Sequence, residues 1–191
     1  MIMIHIPFVV VSGLPGSGKT TLARSLAPAL ALTLLDKDDI LETLFENLGV
    51  GDADWRQRLS RASDEIFQRL ARNSSGAVLT SFWRNPKISI HSGTPTDWIT
   101  ATSQRIVEVY CVCAPEIAAM RFVNRTRHPG HLDSAKRIED LLSGFQTLAS
   151  AGPLGVGKLL RVNTSNEVNL NLVISSVKSL LKIENTLSYL D

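Results

Sequence analysis

Short apolar runs alternate along this chain with longer stretches whose apolar residues recur every three or four positions. The runs at 7–11, 32–35, 77–82, 105–114 and 159–162 are rich in Val, Ile, Leu and Phe and predict five strands buried in a sheet. Between them lie helical patterns. A first helix is expected over about Thr20 to Ala31, and Ile40, Leu41, Leu44, Phe45 and Leu48 mark the inner face of a second that Gly49 would end. Trp55, Leu59, Ala62, Ile66 and Leu70 mark a third helix, and Pro95 opens a short one running to about Ser103. Pro115-Glu116 opens another, Ser134 begins the next, with Ile138, Leu141, Leu142, Phe145 and Leu148 inward, and Thr164-Ser165-Asn166-Glu167 reads as a capping box for the last. Strands alternating with helices predict an α/β fold: a five-stranded, mostly parallel sheet with helices on both faces. At 191 residues the chain is expected to be one domain, 1–191. Residues 40–75 would form a helical insertion beside the site, and 121–134 a small helical lid.

The turn between the first strand and first helix is Gly13-Leu14-Pro15-Gly16-Ser17-Gly18-Lys19-Thr20, which fits G-x-x-x-x-G-K-[ST] at every fixed position. Backbone N–H groups of such a loop, with the positive end of the helix that follows, wrap phosphates. Lys19 is expected to reach the β- and γ-phosphates and Thr20 to hold Mg²⁺. Gly13, Pro15, Gly16, Ser17, Gly18 and Thr21 complete the expected nucleotide-binding positions. The fold class thus narrows to a P-loop NTPase.

The second strand ends in Asp36-Lys37-Asp38-Asp39. Alternation points Asp36 and Asp38 the same way, beyond the carboxyl edge where ligands sit in open α/β sheets. Asp39, three residues before Glu42, reads as a helix N-cap. The third strand closes on Thr80 and Ser81, where many P-loop enzymes carry an acid, and Trp83 and Arg84 are candidate substrate contacts at the same edge. Arg56, Arg58, Arg61, Arg69 and Arg72 flank the third helix, either as a solvated face or as contacts to an anionic substrate. Arg121 and Arg125, four apart, are expected on one helical face ahead of the loop Arg127-His128-Pro129-Gly130-His131. Helix, basic loop and helix suit a lid over phosphates.

A net charge of +2 is too small for a nucleic-acid footprint, making nucleic acid an unexpected partner. Cys111 and Cys113, alone in the chain, fall on one face of a strand as expected buried thiols. No run reaches the roughly 18 apolar residues of a membrane span. With no basic leader before the loop, a cytoplasmic location is expected.

Gly13 to Thr20, the Asp36–Asp39 cluster and the Arg127–His131 loop, in this order, resemble the small P-loop kinases of the AAA-type ATP-binding family, the group of gluconate and shikimate kinases, chloramphenicol phosphotransferase, zeta toxins and polynucleotide kinase. The resemblance implies an ATP-dependent phosphotransferase with an alcohol acceptor, using ATP and Mg²⁺. It implies Asp38 as base toward the acceptor, Asp36 near Mg²⁺, Arg121 against adenine, and Arg125 or Arg127 at the phosphates. The segment from Val162 to Ser165, including Thr164, resembles the loop that edges adenine. Lacking a D-x-x-G switch and an N-K-x-D reader, the sequence does not match a signalling GTPase. Two alternatives remain open: a polynucleotide 5′-hydroxyl kinase, and a nucleotide-binding regulator or toxin-like protein.

Overall fold

The computed structural model describes residues 6–88, 92–132 and 137–182. In it the apolar runs become β1 (Pro7–Gly13), β2 (Thr33–Asp36), β3 (Ala77–Thr80), β4 (Arg105–Val112) and β5 (Lys158–Asn163). They lie in the order β2-β3-β1-β4-β5, and every neighbouring pair is parallel. Parallel neighbours need a crossover. The helices are α1 (Lys19–Ala29), α2 (Lys37–Leu48), α3 (Ala53–Asn73), α4 (Asp97–Thr102), α5 (Pro115–Asn124), α6 (Ile138–Ala151) and α7 (Leu170–Leu181), with a 3₁₀ turn at Pro129–His131.

Alternation along β1 divides the core. Val9 and Val11 pack with Leu22 and Leu26 of α1 and Val173 and Val177 of α7, whereas Phe8 and Val10 pack with Phe67 of α3 and Ile99 of α4. Both faces of the sheet are therefore covered, and the polar side chains that line a cavity gather at its carboxyl end.

Several elements differ from expectation. The inner face of α3 is Leu59, Ser63, Phe67 and Ala71, while Ile66 and Leu70 are 39% and 46% exposed. The stripe is displaced because small Ser63 and Ala71 let the helix approach the sheet, which a row of larger side chains would hold off. Helix α2 starts at Lys37, and its N-cap is Asp36, whose carboxylate accepts from the Asp38 N–H at 3.0 Å; Asp39 is not the cap and meets Arg24 at 3.4 Å on the surface. Residues 164–167 do not cap the last helix: α7 begins at Leu170, with the Asn169 side chain accepting from the Leu172 N–H. Thr164 instead bonds to the Val112 carbonyl through its backbone N–H and its hydroxyl, tying the loop after β5 to the end of β4. Pro95 lies outside α4, which starts at Asp97. Ser134 falls outside the described residues. In α6 it is Phe145 that is buried, edge-on to Phe122 of α5, whereas Ile138 is 39% exposed at the open end of the helix.

Candidate active site

The phosphate loop leaves β1 at Gly13, with φ of 134°, and enters α1 through Gly18 in the left-handed region. A Cβ at Gly13 would lie 2.7 Å from the Cys111 carbonyl oxygen, and one at Gly16 2.2 Å from that of Ala118, so neither position accepts a side chain. The loop thus nests against β4 and α5. Its Ser17 hydroxyl is buried beside the Cys111 thiol, with no well-formed hydrogen bond. Lys19 is buried, and its ammonium donates to the Leu14 carbonyl at 2.6 Å. Burial pulls its pKa down to about 8, against the opposing fields of Cys111, Asp38 and Asp36. A buried ammonium and an unsatisfied hydroxyl on a glycine turn describe a concave site for an anion.

Facing the loop is a cavity of about 790 Å³ between the carboxyl ends of the strands, α2, α3 and the lid. Lys19, Thr20, Asp36 and Asp38 line it together. Asp36 is buried and bonded to Thr20; burial, then the charge of Asp38, pushes its pKa up to about 6. Asp38 opens the first turn of α2, where the helix dipole favours a carboxylate, and its Oδ2 accepts from Arg127.

Residues 127–131, in the segment expected to form a lid, rest on α2. Glu42 Oε1 is 2.8 Å from His131 Nε2 and 3.8 Å from Arg127 Nε, and His128 stacks on Phe45 with ring centroids 5.5 Å apart. Burial and the neighbouring Arg127 lower the pKa of His131. Arg125 does not share a helical face with Arg121, because α5 ends at Asn124 and Arg125 turns away in an extended conformation. Its guanidinium lies 4.3 Å above the Phe122 ring and adds a repulsive field at Lys19, on the phosphate side. Arg121 points elsewhere, donating to the carbonyls of Thr164 at 2.7 Å and Ser165 at 2.9 Å. Pro15 lines the cavity, whereas the exposed Thr21 does not.

Trp83 is not a substrate contact. It is 5% exposed, packs on Phe67 and donates its indole N–H to the Val11 carbonyl at 2.9 Å. Cys111 and Cys113 are buried thiols, and burial pushes the former up to about 12. Thr80 pairs in register with Asp36 and Val11, so no acid ends the central strands there. A carboxylate arrives from another element, one the sequence reading missed. Asp64 of α3 accepts from Thr94 Oγ1 at 2.7 Å, Thr94 is 2.6 Å from Ser81 Oγ, and buried Lys37 stands 3.9 Å from Asp64 and 3.0 Å from Ser60 Oγ. The available signal was Ser60 and Asp64, one helical turn apart on an arginine-rich helix. Among the described residues no cluster of three metal-ligating side chains exists, and no helix is long and apolar enough to cross a membrane.

The sequence model of a family described as an AAA domain matches residues 8–148. The chain belongs to the AAA-type small P-loop kinases. It is 32% identical over 108 residues to a shikimate kinase from Psychrobacter arcticus, covering 49% of this chain and 57% of that protein. Over 76 residues it is 38% identical to an adenylyl-sulfate kinase from Yersinia pestis, covering 37% and 35%. The chain thus spans about half, or less, of the curated relatives it matches. The crystal structure of a candidate kinase from Chloroflexus aurantiacus superposes with a TM-score of 0.69 at 25% identity, over 94% of this chain and 98% of that one.

Proposed function

We propose that this kinase transfers the γ-phosphoryl group of ATP to a hydroxyl of a small molecule. One observation carries the reading: a glycine cradle with a buried cationic lysine faces a carboxylate, Asp38, across one cavity large enough for two ligands. The relatives named shikimate and adenylyl-sulfate kinases support the reaction class.

In this reading Gly13 to Thr20 holds the triphosphate, and Lys19 with Arg125 or Arg127 neutralises charge on the transferred group. Asp38 takes the acceptor's proton; a new bond forms from the acceptor oxygen to the γ-phosphorus, the bond to the β–γ bridging oxygen breaks, and ADP leaves. Arg127 engages only Oδ2 of Asp38, so the second carboxylate oxygen can accept from a hydroxyl. The oxygen pair of Thr20 and Asp36 suits Mg²⁺, a hard cation that would offset the burial and the Asp38 charge that disfavour the Asp36 carboxylate. When bound there, Mg²⁺ would supply positive charge to the phosphate oxygens. Arg121 with the loop at Thr164 provides an edge and a cation for adenine.

The test is ADP release, with hydroxyl metabolites, antibiotics and 5′-hydroxyl oligonucleotides as acceptors. Lys19→Ala should remain folded and lose nearly all transfer. If it turns over ATP like the wild type, the reading fails.

A further inference from the structure

The acceptor half of the cavity carries more cation than its own carboxylates balance. Among the described residues, seven lysines and arginines and four carboxylates line the cavity, with His131 beside them. Lys37 is matched by Asp64 and Arg127 by Asp38, while Lys19 and Arg125 belong to the phosphate side. Arg56, Arg61 and Arg84 remain, and none of them forms an ion pair with a described residue. They reach the cavity from α3 and from the chain beyond β3, opposite the lid and the phosphate loop.

Arg84 is the most firmly built of the three. Beyond β3 the backbone alternates, turning Phe82 and Arg84 to the cavity and Trp83 to the core. Trp83 is pinned by its bond to the Val11 carbonyl. The Arg84 N–H donates to the Thr94 carbonyl at 2.9 Å, and the Thr94 N–H donates to the Phe82 carbonyl at 2.8 Å. Gly93 permits this approach, since a Cβ there would lie 2.9 Å from both Arg84 N and Phe82 O. The guanidinium makes one long contact, from Nη2 to the Gly93 carbonyl at 3.3 Å, and its Nε is buried with no partner. Buried donors are satisfied in native proteins by protein, water or ligand, so an orphaned Nε on a rigid mount beside a cavity asks for an acceptor. A guanidinium presents a planar fork that matches a carboxylate or a tetrahedral oxyanion.

We propose that the acceptor is a hydroxy compound bearing an anionic group, a carboxylate or a phosphate or sulfate ester. Arg84, with Arg56 and Arg61, binds that group, and its hydroxyl is turned toward Asp38. The inference rests on the kinase reading for the location of the hydroxyl, but the anion site itself can be tested separately. Ser60, Ser81, Thr94 and Gln57 line the same cavity, suiting a polar rather than an apolar body.

The experiment uses the full chain saturated with Mg²⁺ and a non-hydrolysable ATP analogue, so that the phosphate loop is filled. Arginine Nε–Hε signals are followed by NMR while acetate, inorganic sulfate, glycerol or a 5′-hydroxyl oligonucleotide is added. The Arg84 signal should shift saturably with acetate or with sulfate, the better ligand naming the anion, and not with glycerol. Arg84→Gln should weaken that anion at least tenfold with analogue affinity unchanged, and Arg84→Lys should fall between. The proposal is overturned if neither anion moves the Arg84 signal, if Arg84→Gln binds the anion as the wild type does, or if only the oligonucleotide acts. Failure of the analogue to bind would instead count against the kinase reading, with the Arg84 signal still reporting on the anions.

Discussion

Asp36 does two things that pull against each other. Its carboxylate caps α2, a contact worth about 1 kcal/mol, yet burial and the charge of Asp38 raise its pKa from 3.8 to about 6. A raised folded-state pKa favours the protonated form, so its contribution to stability is complete below about pH 4 and is lost as pH rises through about 6. A shift of this size corresponds to at most about 3 kcal/mol. Lys19, lowered to about 8, contributes above that value and loses its contribution as pH falls through it, so it is silent between pH 4 and 6. In chelator, thermal melts of the wild type should therefore fall between pH 4 and 7 relative to Asp36→Asn, which keeps a capping oxygen without the charge. Superimposable pH profiles would exclude this account. That Lys19, Thr20, Asp36, Asp38 and Arg127 come to one cavity was legible in the sequence because their motifs are local. Asp64 was not, since its place in the cavity depends on how α3 is rotated about its axis, and that rotation was misread by one position.

The same contrast holds for elements. All five strands were readable as apolar runs, because a sheet covered on both faces leaves an unbroken hydrophobic signature. Helix starts were less so: at Asp36 and Asn169 the capping residue was one of several neighbouring polar residues, and only the backbone geometry selects among them. Glu108 shows what periodicity conceals. It lies in the middle of β4, fully buried, and accepts from Ser12 Oγ at 2.6 Å and from the N–H groups of Leu154 and Gly155 at 2.7 and 2.8 Å. It therefore fastens the strand beneath the phosphate loop to the turn that follows α6. Glu108→Ala strands two buried donors, the Ser12 hydroxyl and the Leu154 N–H, each costing about 1–3 kcal/mol when unsatisfied, while the Gly155 N–H is exposed enough to turn to water. Its urea midpoint should fall by an amount equivalent to several kcal/mol, whereas Asp39→Ala, on the surface, should stay within about 0.5 kcal/mol of wild type. Equal midpoints for the two variants would contradict this assignment.

At the scale of the molecule, the sheet order brings the phosphate loop, the Asp36–Asp38 edge and the tip beyond β3 to one end, and α2, α3 and the lid wall off the space above them. Residues 127–131 contact α2 through Arg127, His128 and His131, so their position and the environment of Asp38 are linked through the Arg127–Asp38 ion pair. The absence of guanine-reading motifs and the clasp of Arg121 on Thr164 favour adenine: calorimetry should give ATP the tighter binding, and tenfold preference for GTP, about 1.4 kcal/mol, would refute that. The central claim is that Asp38 receives the acceptor's proton. With an acceptor found by ADP release, single-turnover transfer by Asp38→Asn should be about 10²- to 10⁴-fold slower than wild type, the usual loss for a general base. Its affinity for Mg²⁺·ATP should be unchanged. Transfer at the wild-type rate by Asp38→Asn, beside an inactive Asp36→Asn, would contradict the account and move the base to Asp36.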